Sequence, residues 1–199
     1  MNNVMRAAAA VLMVAGASGC ALMSGGKAPK NLITLSSTAP DPGPIARSGN
    51  AAESVTIEAP VIAKEIRTTR VAAQAGSTTV AYIKDLTLVD TPDKLFKDLL
   101  GETVLRTTNR VVLDPQQSNL DPGLTVSGRL TNFGYDGRQG TAFVRYDAAL
   151  STAGGTRVET RRFEARAPAD GTAATVGPAL NQAANEVAVQ VASWIGAGR

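Results

Sequence analysis

Two stretches of the sequence carry the three- and four-residue spacing of apolar side chains that is typical of amphipathic helices. The first follows Thr91-Pro92-Asp93, where threonine can cap a helix and proline suits its first position; its apolar stripe comprises Leu95, Phe96, Leu99, Leu100, Thr103 and Val104. The stripe of the second comprises Val176, Leu180, Ala183, Ala184, Val187, Val191, Trp194 and Ile195. These patterns predict one helix that ends near Arg106 and a second that becomes regular at Pro178 and ends at Gly196.

Alternating apolar and polar residues predict strands in most of the remaining chain. Short strand-like runs lie at residues 31–35, 55–57, 66–72, 78–83 and 110–113. Three longer runs cover residues 124–135, 141–150 and 157–167, and turns at 136–140 and 154–155 separate them. Tight turns require antiparallel neighbours. The alternation changes phase at Asn132-Phe133, just before Gly134, which predicts a β-bulge.

The order of these elements is typical of an α+β fold, with strands, one helix, three or more strands and a last helix. We expect a mostly antiparallel β-sheet with two amphipathic helices packed on one face. The other face is then open to solvent or to a partner. Length fits one domain, residues 31–199, behind two shorter N-terminal segments.

The amino-acid composition excludes most classes of catalytic and metal-binding site. The 199 residues include no histidine and one cysteine, which excludes histidine-based nucleophile systems, histidine-ligated zinc and an internal disulfide. A net charge of +3 is too small to indicate a nucleic-acid partner. The sequence also lacks a phosphate-binding loop and a dinucleotide fingerprint. We therefore expect no enzymatic activity, no metal and no cofactor beyond a covalent lipid.

Residues 1–19 have the features of an export signal. Arg6 precedes eleven apolar residues, 7–17, which are too few to span a bilayer as a helix. Ala17-Ser18-Gly19-Cys20 resembles the lipobox of bacterial lipoproteins. That resemblance implies cleavage before Cys20 and attachment of fatty acyl chains, such as palmitate, to its thiol and new amine. The alternative is an ordinary secretory signal with a cysteine near the cut by chance.

Lipidation would hold the protein at a membrane surface without embedding it, since several acyl chains on one residue anchor stably. Residues 20–30 are small and polar and are expected to form a flexible tether. Ala21 follows the cysteine, and the absence of aspartate there resembles an outer-membrane address on the periplasmic side.

Three clusters of side chains invite a functional interpretation. Asp90 and Asp93 stand at a helix start, where capping explains them better than catalysis. An arginine-rich cluster can bind lipid phosphates or an acidic protein. The acidic residues within it favour the alternative that the arginines form cross-strand ion pairs. The cluster comprises Arg129, Arg145, Arg157, Arg161, Arg162 and Arg166, with Asp147, Glu159 and Glu164. An aromatic cluster is either core or the lining of a cleft; it comprises Phe133, Tyr135, Phe143, Tyr146 and Phe163.

A run from Val80-Ala-Tyr-Ile-Lys-Asp-Leu-Thr-Leu-Val-Asp-Thr-Pro92 into Leu95-Phe-Lys-Asp-Leu-Leu100 resembles the ABC-type transport auxiliary lipoproteins of Gram-negative bacteria. Later segments fit the same pattern: Arg110-Val-Val-Leu-Asp-Pro115, Val126-Ser-Gly-Arg-Leu130, Phe133-Gly-Tyr135 and Val144-Arg-Tyr-Asp-Ala148. The resemblance covers about residues 31–195.

This resemblance implies an outer-membrane-anchored, periplasm-facing docking component of an ABC system with an MCE (mammalian cell entry) protein. Such systems move phospholipids or other hydrophobic molecules. The implied partners are the MCE-domain protein, the ABC permease and ATPase, and the membrane itself, and contact between the domain and phospholipid stays open. Two alternatives remain. One is a periplasmic scaffold or activator of peptidoglycan enzymes, and the other is an enzyme that uses only carboxylates, serine, lysine or tyrosine.

Overall fold

The computed structural model describes residues 31–50, 53–115, 123–152 and 155–197. Among these residues, two helices, α1 (Pro92–Thr107) and α2 (Ala173–Ala197), pack on one sheet, so the α+β class is confirmed. Its nine strands are β1 (Asn31–Ile33), β2 (Ser54–Ile57), β3 (Val61–Ile62), β4 (Arg70–Gln74), β5 (Val80–Leu88), β6 (Val111–Leu113), β7 (Leu124–Asp136), β8 (Thr141–Thr152) and β9 (Val158–Pro168). The expected signal, tether and lipidated Cys20 lie outside the described residues.

The long strand β7 organises the sheet. On one side it pairs antiparallel with β8, which pairs with β9. On its other side β2, β3 and β4 follow one another, all parallel to it. Beyond them, β5 lies antiparallel to β4 and carries β1 in parallel, while β6 lies parallel to β2.

The expectation of a mostly antiparallel sheet was wrong, because five of the eight strand pairings among the described residues are parallel. Short connections account for the antiparallel pairs, which are β7 with β8 and β8 with β9 in the predicted meander, and β4 with β5 across residues 75–79. Strands β2, β3 and β4 reach β7 through long connections, which allow neighbouring strands to run in the same direction.

Two predicted boundaries also differ. Ile66 is the buried residue of a 3₁₀ turn, Lys64–Ile66, and β4 starts at Arg70. Helix α2 begins at Ala173 and contains Pro178 in its interior. Its early start is stabilised by Asp170, whose carboxylate accepts the Thr172 N–H at 2.9 Å and the Thr175 hydroxyl. These hydrogen bonds lower the pKa of Asp170 to about 2.

The predicted bulge is confirmed. The pairing of β7 with β8 shifts register between Leu130 and Asn132, so that Leu130 and Phe133 are both buried. Gly134 follows the bulge and lies opposite Ala72 of β4. A Cβ atom on Gly134 would stand 2.2 Å from the Ala72 carbonyl oxygen, so only glycine lets the two strands approach this closely.

Both helices cover the same face of the sheet. Tyr146 of β8 and Phe163 of β9 are directly opposite each other and therefore point to one side. Phe96 of α1 meets Tyr146 with ring centroids 5.2 Å apart, and Trp194 of α2 meets Phe163 at 5.5 Å. The core thus lies between this face and the helix pair.

Candidate docking surfaces

The chain crosses the helix layer before it enters the body of the sheet. We call residues 34–50 the strap. On α2, Asn181 Oδ1 accepts the Ser36 N–H at 2.9 Å, and Asn185 Oδ1 accepts the Thr38 N–H at 2.7 Å. On α1, the Arg106 guanidinium donates to the Ala39 carbonyl at 2.9 Å. The strap is therefore bound to both helices.

The strap advances along the middle of α2 toward the end of α1. Its contacts advance from Asn181 to Asn185 along α2, and farther on Arg47 donates to the Arg110 carbonyl at 2.8 Å. The prolines and glycines of residues 36–53 predict only a loop, and the sequence pattern assigned no role to Asn181 and Asn185. The sequence feature that could have identified them is their spacing: two asparagines one turn apart on a helix that is otherwise rich in alanine and valine.

The domain has two distinct ends. The loops at residues 75–79, 137–140 and 169–172 follow the last residues of β4, β7 and β9, which lie at one level in the sheet. We call this the turn end. At the opposite end, the groove end, strands β2, β7 and β9 begin and α2 finishes.

Two grooves flank the last turns of α2 at the groove end. One encloses ≈ 580 Å³ between the ends of the two helices and is lined in part by Asn109, Arg110, Val189 and Ser193. Val189 is 43% exposed there, and Arg110 donates to the Ile195 carbonyl at 3.3 Å. These walls combine apolar, polar and charged groups, a mixture suited to a protein segment.

The second groove encloses ≈ 510 Å³ on the other side of α2, between Trp194, Leu124, Leu150 and Arg157. Trp194 was expected in the core. The structure corrects this in part, because Trp194 is half-buried, contacts Phe163 with one face and lines the groove. An indole in this position offers apolar area to a partner at a small cost in side-chain entropy.

Arg145 and Arg162 form ion pairs on the sheet face opposite the helices. Arg162 donates to both oxygens of Asp147, at 2.6 and 3.0 Å. Arg145 lies 2.8 Å from Glu164. The hydrogen bonds from Arg162 hold the pKa of the Asp147 carboxyl below its usual range. The simpler interpretation of this cluster, cross-strand pairing, therefore agrees with the structure.

The remaining arginines divide between the two faces: Arg157 and Arg161 lie on the helix side, near Trp194 and Phe163, and Arg129 and Arg166 lie on the opposite face. Arg166 donates to Asp136 at 3.2 Å, and Arg157 pairs with Glu159. Arg161 stacks on Phe163, 5.3 Å from the ring centroid. Arg129 stands beside Asp147 in the register of β7 and β8 and adds to the field that lowers its pKa.

The sheet divides the aromatic cluster. Phe133, Tyr146 and Phe163 are buried on the helix side, and the Tyr146 hydroxyl donates to the Ser127 carbonyl at 2.8 Å. Burial raises the pKa of that hydroxyl. Phe143 lies on the other face beneath Arg166, whose guanidinium carbon is 3.6 Å from the ring centroid. Phe133, Tyr135 and Phe143 contribute to the lining of one small cavity of ≈ 160 Å³, so the cleft interpretation applies to these three. Core packing accounts for Tyr146 and Phe163.

Asp90 and Asp93 serve the start of α1. Asp90 accepts the Thr91 N–H at 2.7 Å and pairs with Lys94, and both contacts lower its pKa. Asp93 occupies the first turn, where a carboxylate stabilises the helix dipole. Thr91 is the N-cap residue, but its side chain makes no capping hydrogen bond.

Within the part of the chain that the structure describes, no three acidic, histidine or cysteine side chains are grouped as a metal site requires. Neither described helix combines the length and hydropathy needed to cross a bilayer.

Comparison with known proteins identifies relatives of the whole domain. The family model described as "ABC-type transport auxiliary lipoprotein component" matches residues 34–192. A crystal structure from Xanthomonas campestris, assigned to family DUF330, superposes with a TM-score of 0.67 at 14% identity and covers 82% of this chain and 94% of its own. A structure titled only as an uncharacterized protein gives a TM-score of 0.62 at 14% identity, covering 83% and 98%. No curated protein matches the sequence.

Proposed function

Because the chain belongs to the family of ABC-type transport auxiliary lipoprotein components, we propose that it is the docking subunit of an MCE-type ABC transport system. An auxiliary role in transport and a place at an envelope membrane follow from the family. The finer assignment is our proposal: an outer-membrane anchor through lipidated Cys20, a periplasmic domain and a hydrophobic cargo such as phospholipid. The domain binds its partner and performs no catalysis.

The groove end carries this proposal. There the two grooves lie on either side of one helix terminus, with exposed Val189 in the first and half-buried Trp194 in the second. A segment of the MCE-domain protein that straddles the end of α2 would bury both side chains. Apolar anchors within a polar rim are the usual composition of a binding surface.

Charged groups around the grooves would orient the partner. Arg110 lines the first groove with Glu53, and Arg157 lines the second with Glu159. Each groove therefore offers one cation and one anion, so a partner with paired charges is expected to fit better than one of a single sign. Complementary charge of this kind improves selectivity and the association rate more than affinity.

In-cell photocrosslinking tests the proposal. A photoreactive amino acid replaces Val189 at the groove end, and in a matched protein it replaces exposed Arg138 at the turn end. Crosslinked products are then identified by mass spectrometry. An MCE protein captured from position 189, and much less from position 138, would support docking at the groove end.

Other products would contradict the proposal in distinct ways. Cell-wall synthases captured at position 189 with no transporter component would favour the scaffold alternative. Equal capture of the MCE protein from both positions would keep the transport role and refute the groove end as the docking surface.

A further inference from the structure

We infer that two copies of this chain pair through β9, edge to edge and antiparallel, so that one continuous sheet runs across both domains. The surface is the outer edge of β9, the side that faces away from β8, and its partner is the same edge of a second copy. The pairing requires neither a transporter protein at the groove end nor lipidation of Cys20, so it stands or falls independently of the proposed function.

Strand β9 is long and has one neighbour. It has 11 residues and a length of about 37 Å, and it pairs with β8 on one side. Among the described residues, no backbone group pairs with its other side. The other strands with a free side, β1, β3 and β6, have at most three residues each. An unpaired row of N–H and C=O groups is a template for another strand, and in the described part of the chain β9 presents the longest such row.

Features that commonly prevent pairing at an edge are absent from this strand. Its register with β8 continues without a shift from Val158 to Pro168, so no bulge twists the edge away. Its one proline is the last residue. Val158 is 59% exposed, and Thr160, Arg161 and Arg162 are exposed as well. The edge is therefore regular enough for a second strand to pair along it.

The order of charges along β9 makes the strand complementary to itself. A two-fold axis through Phe163, the central residue, lets all 11 residues overlap, from Val158 opposite Pro168 to Pro168 opposite Val158. In this register Arg162 of each copy lies directly opposite Glu164 of the other. Opposite charges directly across from each other stabilise a pair of antiparallel strands.

The neighbouring registers place like charges together. Directly opposed residues share a face of the sheet, so the axis must pass through a residue. An axis through residue 162 would set Arg162 opposite itself. An axis through residue 164 would set Glu164 opposite itself and Arg162 opposite Arg166. Like charges in direct opposition destabilise a strand pair, so these registers are less favourable than the one centred on Phe163.

The existing ion pairs of β8 and β9 extend naturally across the axis. The Arg162 side chain is 60% exposed, although it donates to Asp147, and the Glu164 side chain is 50% exposed, although it accepts from Arg145. A guanidinium has five N–H donors and a carboxylate has two acceptor oxygens, so each group can serve a second partner. Pairing would align Arg145 and Glu164 of one copy with Arg162 and Asp147 of the other, a row of alternating charge over four strands.

Disulfide trapping of the full chain in cells tests the register. One copy carries Arg162→Cys and a differently tagged copy carries Glu164→Cys, and the product that joins the two tags is quantified after mild oxidation. The matched control combines Thr160→Cys with Glu164→Cys, since Thr160 lies on the same face as Arg162, two residues away. We expect several-fold more product from 162 with 164 than from the control, because only the first pair of Cα atoms lies within disulfide reach. Linkage through Cys20 would appear equally in both.

Charge reversal provides a second test, in which association and stability should respond differently. Arg162→Glu alone, or Glu164→Arg alone, opposes like charges across the axis, and we expect several-fold less dimer by native mass spectrometry of the full chain in detergent. The double variant restores opposite charges across the axis but places like charges beside Asp147 and Arg145 within each copy. Its dimer fraction should therefore recover while its melting temperature does not.

Three results would overturn the inference. The first is equal disulfide product, or none, from the two cysteine combinations. The second is a wild-type protein that is monomeric. The third is a dimer fraction that falls with the melting temperature through the single and double charge variants, because the variants would then act through the fold and not through the contact between copies.

Discussion

Asn185 of α2 binds Thr38 of the strap through two hydrogen bonds to one oxygen. Its Oδ1 accepts the Thr38 backbone N–H at 2.7 Å and the Thr38 hydroxyl at 3.1 Å. Its Nδ2 donates to the Ser36 carbonyl at 2.8 Å and to the Asn181 carbonyl at 2.9 Å. One buried amide thus satisfies the backbone of a segment that has no strand partner of its own.

Asn185→Ala is therefore expected to destabilise the domain by about 2–3 kcal/mol, because it leaves buried donors and acceptors without partners. Urea unfolding measures the loss. Asn181→Ala is the matched control: it removes one exposed hydrogen bond to Ser36 and is expected to cost about 0.5–1 kcal/mol. Equal losses in the two variants would show that the strap is not held by the buried amide.

Gly134→Ala is expected to destabilise the protein by about 3 kcal/mol, since the new methyl group would displace β4 from β7. Thermal unfolding is a suitable measurement. Gly196→Ala makes the same chemical change where no heavy atom lies within 4 Å of the added carbon, and it is expected to be nearly neutral. A stable Gly134→Ala protein would contradict the close approach at Ala72.

Arg162→Ala is expected to raise the pKa of Asp147 toward its usual value, because the hydrogen bond from Arg162 is the largest cause of its depression. The pKa should stay somewhat low, since Arg145 and Arg129 remain nearby. Carboxyl resonances followed by NMR titration report it directly.

The sign of the accompanying stability effect follows from linkage. A carboxyl whose folded pKa is lowered stabilises the fold above its unfolded pKa, and this contribution disappears as the pH falls through the folded value. Wild type and Arg162→Ala should therefore differ slightly at neutral pH and converge in acid. A difference that grows in acid would exclude this explanation.

Leu99→Asp is expected to destabilise the protein by about 3–5 kcal/mol, because it places a carboxylate in the core stripe of α1. Leu99 is 3% exposed, whereas the side chain of its neighbour Asp98 is 73% exposed. Asp98→Asn is the control and should have little effect on circular-dichroism melting. Normal stability of Leu99→Asp would refute the packing of α1.

Cys20→Ser is expected to release the protein from membranes without changing the stability of the domain, because acyl chains on Cys20 are the proposed anchor. Membrane fractionation and melting of the released protein provide the two measurements. Retention of this variant in the outer-membrane fraction would show that another contact holds the protein there.

The sequence predicted the local elements well, because each depends on residues close together in the chain. The stripe through Leu95 and Leu99 and the phase break before Gly134 identified α1 and the bulge. It also identified the family, which the match over residues 34–192 confirms. The start of α2 was predicted too late in the chain. The pattern placed it at Pro178, whereas the helix begins at Ala173, next to the hydrogen bond between Asp170 and the Thr172 N–H.

Strand direction and the path of residues 34–50 were decided by the tertiary structure. A parallel pairing such as that of Val55 with Leu124 joins segments far apart in the chain, and alternation assigns faces without assigning neighbours. The same limit applies to the docking surfaces. Trp194 and Arg157 line one groove only because α2 lies across the starts of β7 and β9. Asn185 binds the strap only because the strap is packed against α2.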